Sequence, residues 1–387
     1  MDVVILLGGS GTRLKPLTNT KNKPLLKIAG KTILQRTLEN LFKLPKLNHF
    51  IFVVRKEDEQ TIKYINDFMK DKDYEIVFQL PSKGTAKAVE SVKGIVEEKF
   101  MVVSGDHILD WRIYEKLFNN FKQGNVVMFK KFENYFNYGV AIIENGKIKQ
   151  FVEKPKTYIS NLVNIGIYGF NSEIFDELKL IKPSPRGEYE LTDILIGKNA
   201  LITDLDWVDI AYPWNIYDAF KIIMKHEEKR IEGTIIDSEL EGKVIVEKGA
   251  IIKRSEIVGP AYIGREARIG PFSLIEKSDI ETNVEIGIGT SVKRSIVGSF
   301  TKAKHLTYIG DSIIGEHVNF GSGTQIANLR FDEKNVKYKG IDTGKRKFGV
   351  VIGDNVKIGI NVSIMPGTVI ENNTHVFPHT LLKNKEK

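Results

Sequence analysis

The 387-residue sequence predicts a fold in two parts, an α/β domain built on a parallel sheet followed by a parallel β-helix. Three observations predict it. Up to about residue 110, short β-rich runs alternate with stretches of helical apolar spacing. Beyond about residue 240, apolar residues recur at every sixth position, a period that neither a helix nor an ordinary alternating strand produces. The length exceeds what one hydrophobic core ordinarily supports, and the balance of 42% hydrophobic to 27% charged residues is that of a folded soluble chain.

In the first part the expected strands are Val3 to Leu7, Phe50 to Val54, Glu75 to Leu80 and Phe100 to Ser104. Between them lie three amphipathic stripes: Ile33, Leu34, Leu38, Leu41 and Phe42; Ile62, Ile65 and Met69; Ala86, Val89, Val92 and Val96. Fully apolar strands separated by such stripes imply a parallel sheet covered on both faces, because each crossover helix buries its stripe against the sheet. Ligands bind such sheets at the carboxyl ends of the strands.

In the second part the sixfold series are Ile257, Ile263, Ile269, Ile275; Ile280, Ile286, Val292; Val297, Ala303, Ile309; Ile314, Phe320, Ile326; and Ile352, Ile358, Ile364, Ile370, Val376. Each repeat supplies one flat face, with its apolar residue pointing into the shaft. The series breaks between Leu329 and Gly349, where charged residues crowd into a loop expected to leave the solenoid. The expected division is 1–226, a connecting helix over 227–240, and 241–387.

No apolar run is long enough to span a bilayer, so a cytoplasmic location without membrane contact is expected. The absence of cysteine excludes disulfides, thiolate nucleophiles and Cys-based zinc sites. A net charge of +8 is dispersed, without the basic block and interleaved aromatics of a nucleic-acid binder, and points to anionic small molecules instead.

Leu7 leads into Gly8-Gly9-Ser10-Gly11-Thr12-Arg13, followed by Lys23-Pro24. Glycines at a strand-to-loop turn let backbone N–H groups approach phosphate oxygens, while Arg13 and Lys23 supply fixed positive charge. The spacing is neither that of a Walker loop nor that of the dinucleotide fingerprint. Further segments occur in order: Gln79 with Gly84-Thr85-Ala86, Gly105-Asp106, Tyr138-Gly139-Val140, Glu153-Lys154-Pro155, Asn164 to Tyr168, Gly187 to Asp193, and Trp207-Val208-Asp209.

Together these segments resemble the sugar-1-phosphate nucleotidylyltransferase family, which implies a Rossmann-like nucleotidyltransferase domain. By that resemblance Arg13 and Lys23 are catalytic phosphate clamps, and Asp106 and Asp209 converge on Mg²⁺. The nucleotide meets Leu7, Gly8, Gly9, Ser10, Gly11, Thr12, Gln79, Gly84 and Thr85, with uracil or thymine as the favoured base. Gly139, Glu153, Lys154 and Asn164 form the sugar-phosphate pocket. Leu6 and Leu7 stand where relatives often carry alanine.

The β-helical part resembles the acetyltransferase half of bifunctional enzymes of the N-acetylglucosamine-1-phosphate uridyltransferase type, and the similarity is closer to their archaeal forms. The matching residues are Lys293, His305, Tyr308, Asn319 and Asn328, with Lys334 and Lys337 from the charged loop. The resemblance implies a left-handed β-helix, a homotrimer, and Ser322 and Ile360 beside the coenzyme A channel between subunits. An amine attacks a thioester only when neutral, which makes the His305 imidazole the candidate base. Where the bacterial enzymes carry an arginine for the sugar phosphate, this chain has Leu274, Ile275 and Glu276; Lys334 and Lys337 are expected to substitute.

The expected function is therefore twofold: transfer of a uridylyl or thymidylyl group from UTP or dTTP to a sugar 1-phosphate, and acetylation of an amino-sugar 1-phosphate by acetyl-CoA. Two alternatives stand beside it. One is a nucleotidylyltransferase whose β-helix serves only assembly or regulation, and the other is a regulatory subunit without catalysis, from which Arg13, Lys23, Asp106 and Asp209 would be expected to be missing.

Overall fold

The computed structural model describes residues 1–47, 49–80, 84–122, 124–133, 135–184 and 187–384. The chain divides into two compact bodies, one of Met1–Ser10 with Ile33–Asp209, the other of Gly11–Thr32 with Ile210–Lys387.

The first body is built on a nine-stranded sheet whose order from one edge is Asp73–Phe78, His49–Val54, Asp2–Leu6, Lys99–Ser104, Leu162–Asn171, Val126–Lys131, Asn199–Thr203, Lys147–Glu153 and Gly139–Glu144. The first four strands are mutually parallel, as the sequence predicts. The sheet as a whole is mixed, because Leu162–Asn171 runs antiparallel to both its neighbours. Alternate residues of the central strands enter opposite cores: Val3, Ile5, Phe50, Phe52, Met101 and Val103 meet Leu34 and Leu38 on one face, while Val4, Ile51, Phe100 and Val102 meet Val89 and Val92 on the other.

The helix Ile33–Leu41 buries Ile33, Leu34, Leu38 and Leu41. The next, Glu59–Phe68, starts where the Asp58 carboxylate accepts the Thr61 N–H at 3.0 Å, satisfying one orphan donor of its first turn. The third is shorter than its apolar stripe implied, spanning only Thr85–Glu90 before turns lead to Gly94.

In the second body three eight-stranded parallel sheets form the sides of the predicted solenoid. All the sixfold residues are buried in a single cluster. The solenoid begins earlier than expected: Arg230–Ile231, Thr234–Ile236 and Glu239–Glu241 are the first strands of the three sheets, and each pairs with the coil that follows. Residues 230–241 are thus the first coil, and no helix spans 227–240; Ile235 and Leu240 already pack on the shaft core. The helix before it, Pro213–His226, belongs to this body as well.

The segment Gly11–Thr32 is held to the solenoid by polar contacts. The N–H groups of Ala29 and Gly30 donate to Asp279 Oδ2 at 2.7 Å and Glu281 Oε1 at 2.9 Å. Gly30 has φ +79°, and a Cβ there would lie 2.1 Å from Tyr262 Oη, so no larger residue fits. The charged excursion is anchored too. Leu329 bridges Lys347 at its neck, and within it Lys337–Tyr338 pairs antiparallel with Ile341–Asp342.

Candidate active sites

Leu7 and Gly105 leave two adjacent parallel strands at the same carboxyl edge, where the Gly105 N–H donates to Leu6 O at 3.0 Å. This edge carries Gly8, Gly9 and Ser10 on one strand and Asp106 on the next. Gly8 lies so close to Gln79 that a Cβ would fall 2.0 Å from Gln79 Oε1, so the glycine turn and the predicted base-reading side chain abut. Gln79 Nε2 donates to Gly84 O at 3.5 Å. Backbone and side-chain bonds at Ala86 and Thr85 fix that loop to Tyr189 and Leu191.

Asp106 and Asp209 meet because the two-stranded ribbon of His107–Leu109 and Trp207–Asp209 places Asp209 opposite His107. One ligand atom from each of Asp106, His107 and Asp209 lies within 4.8 Å of the others. His107 Nε2 is 3.3 Å from Asp106 Oδ1 and 3.7 Å from Asp209 Oδ1. His107 was not singled out from the sequence, although it adjoins Asp106 and falls at the ribbon register of Asp209. Its other nitrogen, Nδ1, accepts the Trp207 indole N–H at 3.3 Å. That bond fixes the ring with Nε2 facing the two carboxylates. The Trp207 ring is itself held edge-on by Phe132 and Tyr138. Beneath the site burial, with the Asp106 charge adding, pushes the Tyr114 phenol above the usual tyrosine range.

Gly139 and Glu153 are direct partners on paired strands. Val163, one residue before Asn164, pairs with Val140, so the predicted sugar-pocket residues converge. Lys154 follows with its N–H donating to Tyr138 O at 3.0 Å. Asn164 Nδ2 donates to Tyr168 Oη at 2.8 Å, while its Oδ1 accepts the Gly166 N–H at 3.0 Å. Tyr168 is buried and orients Asn164.

Gly11, Thr12, Arg13 and Lys23 lie in the second compact body. Thr18 Oγ1 donates to Gly11 O at 2.8 Å, Lys23 is buried, and the Arg13 guanidinium lies 5.2 Å from the Tyr212 ring centroid.

On the solenoid, strand register aligns His305 with Ser322 in the next coil and Ser322 with Ile360 in the one after. The candidate base and both predicted coenzyme A residues thus share one corner, where His305 is exposed. Around the coil from this corner, Asn328 Nδ2 donates to Tyr308 Oη at 3.4 Å and also to Asp311 Oδ2. Asp311 accepts two bonds from the Arg294 guanidinium at 2.7 and 2.8 Å, and Lys293 Nζ lies 3.2 Å from Glu276. Lys293, Tyr308 and Asn328 therefore share a polar cluster, which adds Glu276, Arg294 and Asp311.

Arg294, Asp311 and Asn328 recur at intervals of 17, one coil apart, and that spacing is the sequence signal for the column. Asn319 does not join them. It is exposed on the second sheet, in register with Lys302 and Lys357, whereas Tyr308 and Lys293 lie on the third. Lys334 and Lys337 are exposed on the excursion, whose neck meets Asn328 through the Phe348 N–H at 2.9 Å.

The family described as Nucleotidyl transferase matches residues 2–225, and the family described as Bacterial transferase hexapeptide (six repeats) matches residues 349–384. The chain belongs to the nucleotidyl transferase family. This nucleotidyl transferase is 39% identical over 403 residues to "Bifunctional protein GlmU" of Methanococcus aeolicus, across 99% of this chain and 95% of that one. It is 38% identical over 405 residues to the "Bifunctional sugar-1-phosphate nucleotidylyltransferase/acetyltransferase" of Sulfurisphaera tokodaii, across 98% and 96%. A solved UDP-glucose pyrophosphorylase complexed with UDP-glucose shares the fold over 58% of the transferase and 99% of its own chain, with a TM-score of 0.51 at 22% identity. The transferase thus joins a nucleotidyltransferase domain to a left-handed β-helix of hexapeptide repeats. Among its described residues no helix is long and apolar enough to cross a membrane.

Proposed function

We propose that this chain is a bifunctional enzyme of amino-sugar nucleotide synthesis. Residues 1–226 transfer a uridylyl or thymidylyl group from UTP or dTTP to N-acetylglucosamine 1-phosphate or glucose 1-phosphate, releasing pyrophosphate. Residues 241–387 acetylate glucosamine 1-phosphate, or galactosamine 1-phosphate, with acetyl-CoA. The observation that carries the first activity is the convergence of Asp106 and Asp209 at the strand edge that also bears Gly8 to Ser10.

Two partly buried carboxylates fit a hard divalent ion. Asp106 and Asp209 would hold Mg²⁺, with His107 packed beside both carboxylates and helping to orient them. An ion held by these carboxylates would supply positive charge against the substrate phosphates. Arg13 and Lys23 clamp the triphosphate, Glu153 accepts hydrogen bonds from sugar hydroxyls, and Lys154 meets the sugar phosphate. A phosphate oxygen of the sugar then attacks the α-phosphorus in line, and the bond to the pyrophosphate leaving group breaks.

In the second activity the amine nitrogen attacks the thioester carbonyl. The N–C bond forms, the C–S bond breaks, the His305 imidazole accepts the amine proton, and coenzyme A leaves as the thiolate that this proton neutralises. Lys293, Tyr308 and Asn328 orient the acceptor, with Lys334 and Lys337 toward its phosphate. Asn319 stands on another face of the solenoid, which supports a homotrimer whose acetyl sites draw residues from two copies. A cytoplasmic location completes the reading.

The test is a pyrophosphate-release panel crossing UTP, dTTP, ATP and GTP with these sugar phosphates, run beside thiol release from acetyl-CoA. Release of both products supports the reading. Pyrophosphate without free coenzyme A leaves a monofunctional enzyme, and neither product overturns both activities.

A further inference from the structure

Tyr338 lies on the charged excursion of the solenoid, far along the chain from the glycine-rich phosphate loop, yet it is in contact with that loop. Its hydroxyl donates to Lys15 O at 2.7 Å, and the neighbouring Lys339 ammonium donates to the same carbonyl at 3.1 Å. Lys15 is two residues past Arg13 and caps the short helical turn Thr12–Leu14. The backbone of that turn is therefore tethered by two donors from the excursion.

The Arg13 side chain is reached by a second route through rings. Its guanidinium lies over Tyr212; Tyr212 stacks on Trp214 with centroids 4.6 Å apart and planes at 4°. Trp214 in turn packs edge-on against Tyr338 at 5.7 Å and Phe348 at 6.0 Å. Trp214, Tyr338 and Phe348 are each under 9% exposed, so these rings are fixed by packing. A guanidinium over a fixed aromatic face has its direction set by that face. An ion pair between Lys345 and Asp218 at 3.1 Å ties the returning end of the excursion to the helix Pro213–His226, which carries Trp214.

We propose that Tyr338 is a positioning residue for nucleotidyl transfer: from the acyl-transfer excursion, it sets Arg13 through the Lys15 carbonyl and the Tyr212–Trp214 stack. This rests on the reading of Arg13 as a phosphate clamp. A consequence is that the loop carrying Lys334 and Lys337 for one reaction also carries the support of a phosphate ligand for the other.

The experiment measures kcat/KM for the nucleoside triphosphate by pyrophosphate release on the full chain, with thermal melting as a control for folding. Tyr338→Ala is expected to lower kcat/KM about 10- to 100-fold, the scale of a displaced catalytic group. Tyr338→Phe, which keeps the ring, should lose about threefold from the hydroxyl alone. The deciding readout is the double variant Arg13→Ala/Tyr338→Ala, expected to match Arg13→Ala within about twofold because the second change acts only through the first.

Multiplicative losses in the double variant, or a wild-type kcat/KM in Tyr338→Ala, overturn the proposal while leaving the clamp intact. An Arg13→Ala enzyme with undiminished kcat/KM overturns the clamp reading, and the proposal with it. Should Tyr338→Ala not fold, the comparison passes to Tyr338→Phe alone and in combination with Arg13→Ala, where wild-type activity of the single variant overturns the hydroxyl tether.

Discussion

Asp209→Asn isolates the charge of one proposed metal ligand from its shape. The ligand atoms of Asp106 and Asp209 lie no more than 4.8 Å apart, so the two could hold one magnesium ion, whose oxygen ligands ordinarily lie about 2.1 Å away. A doubly charged ion at that distance from a unit charge interacts by about 4 kcal/mol even at the dielectric of water. The asparagine carbonyl remains as a weaker ligand, which brings the expected loss to about 2.7 kcal/mol, or roughly 100-fold in magnesium affinity. Calorimetric titration with magnesium in the presence of UTP reads the affinity directly, and pyrophosphate release against magnesium concentration reads it in turnover. The ribbon that carries residue 209 pairs through its backbone, so melting should move by no more than a few degrees. A magnesium midpoint within about threefold of the parent in both assays would show that Asp209 does not ligate the ion.

Other predictions follow from the same reasoning. His305→Ala should lower coenzyme A release by about 100- to 10,000-fold, the usual range for a lost general base, and leave pyrophosphate release unchanged; equal loss of both would contradict separate sites. Asp311→Ala removes the acceptor shared by the Arg294 guanidinium and the Asn328 amide, so KM for the amino-sugar phosphate should rise about tenfold while thiol release with saturating acceptor falls less. Ile257→Ala, in the fully buried shaft, should cost about 2–5 kcal/mol in denaturant unfolding; a loss under 1 kcal/mol would mean that the shaft collapses around the vacancy.

The architecture was legible where one residue type repeats under one constraint. The sixfold Ile and Val positions have a single place to go, into the shaft, and the parallel strands near the N-terminus are apolar on both faces because both are covered. Three features escaped the sequence for identifiable reasons. The first coil, residues 230–241, alternates charged residues with Ile235 and Leu240 and has no unbroken sixfold series. The mixed half of the sheet comes from long-range pairing, parallel between Val126–Lys131 and Asn199–Thr203 and antiparallel elsewhere, which local period does not encode. His107 owes its importance to register with a strand about one hundred residues away, and nothing local separates it from an ordinary polar residue after a strand. Among the proposed site residues, Asp106 and Asp209 each stand in a legible motif and lie within 4.8 Å of one another, whereas the Arg294–Asp311–Asn328 column is visible only when the sequence is counted by coils.

The polypeptide passes from one compact body to the other at Ser10–Gly11, at Thr32–Ile33 and again at Asp209–Ile210. Neither body is an uninterrupted stretch of chain, so no single scission yields two self-sufficient halves. Cutting after residue 226 would strand Gly11–Thr32 and the helix carrying Trp214 without the solenoid surfaces on which they rest. An isolated N-terminal fragment should accordingly be prone to aggregate, and ribosomal synthesis must wait for the last third of the chain before the earliest loop can find its seat.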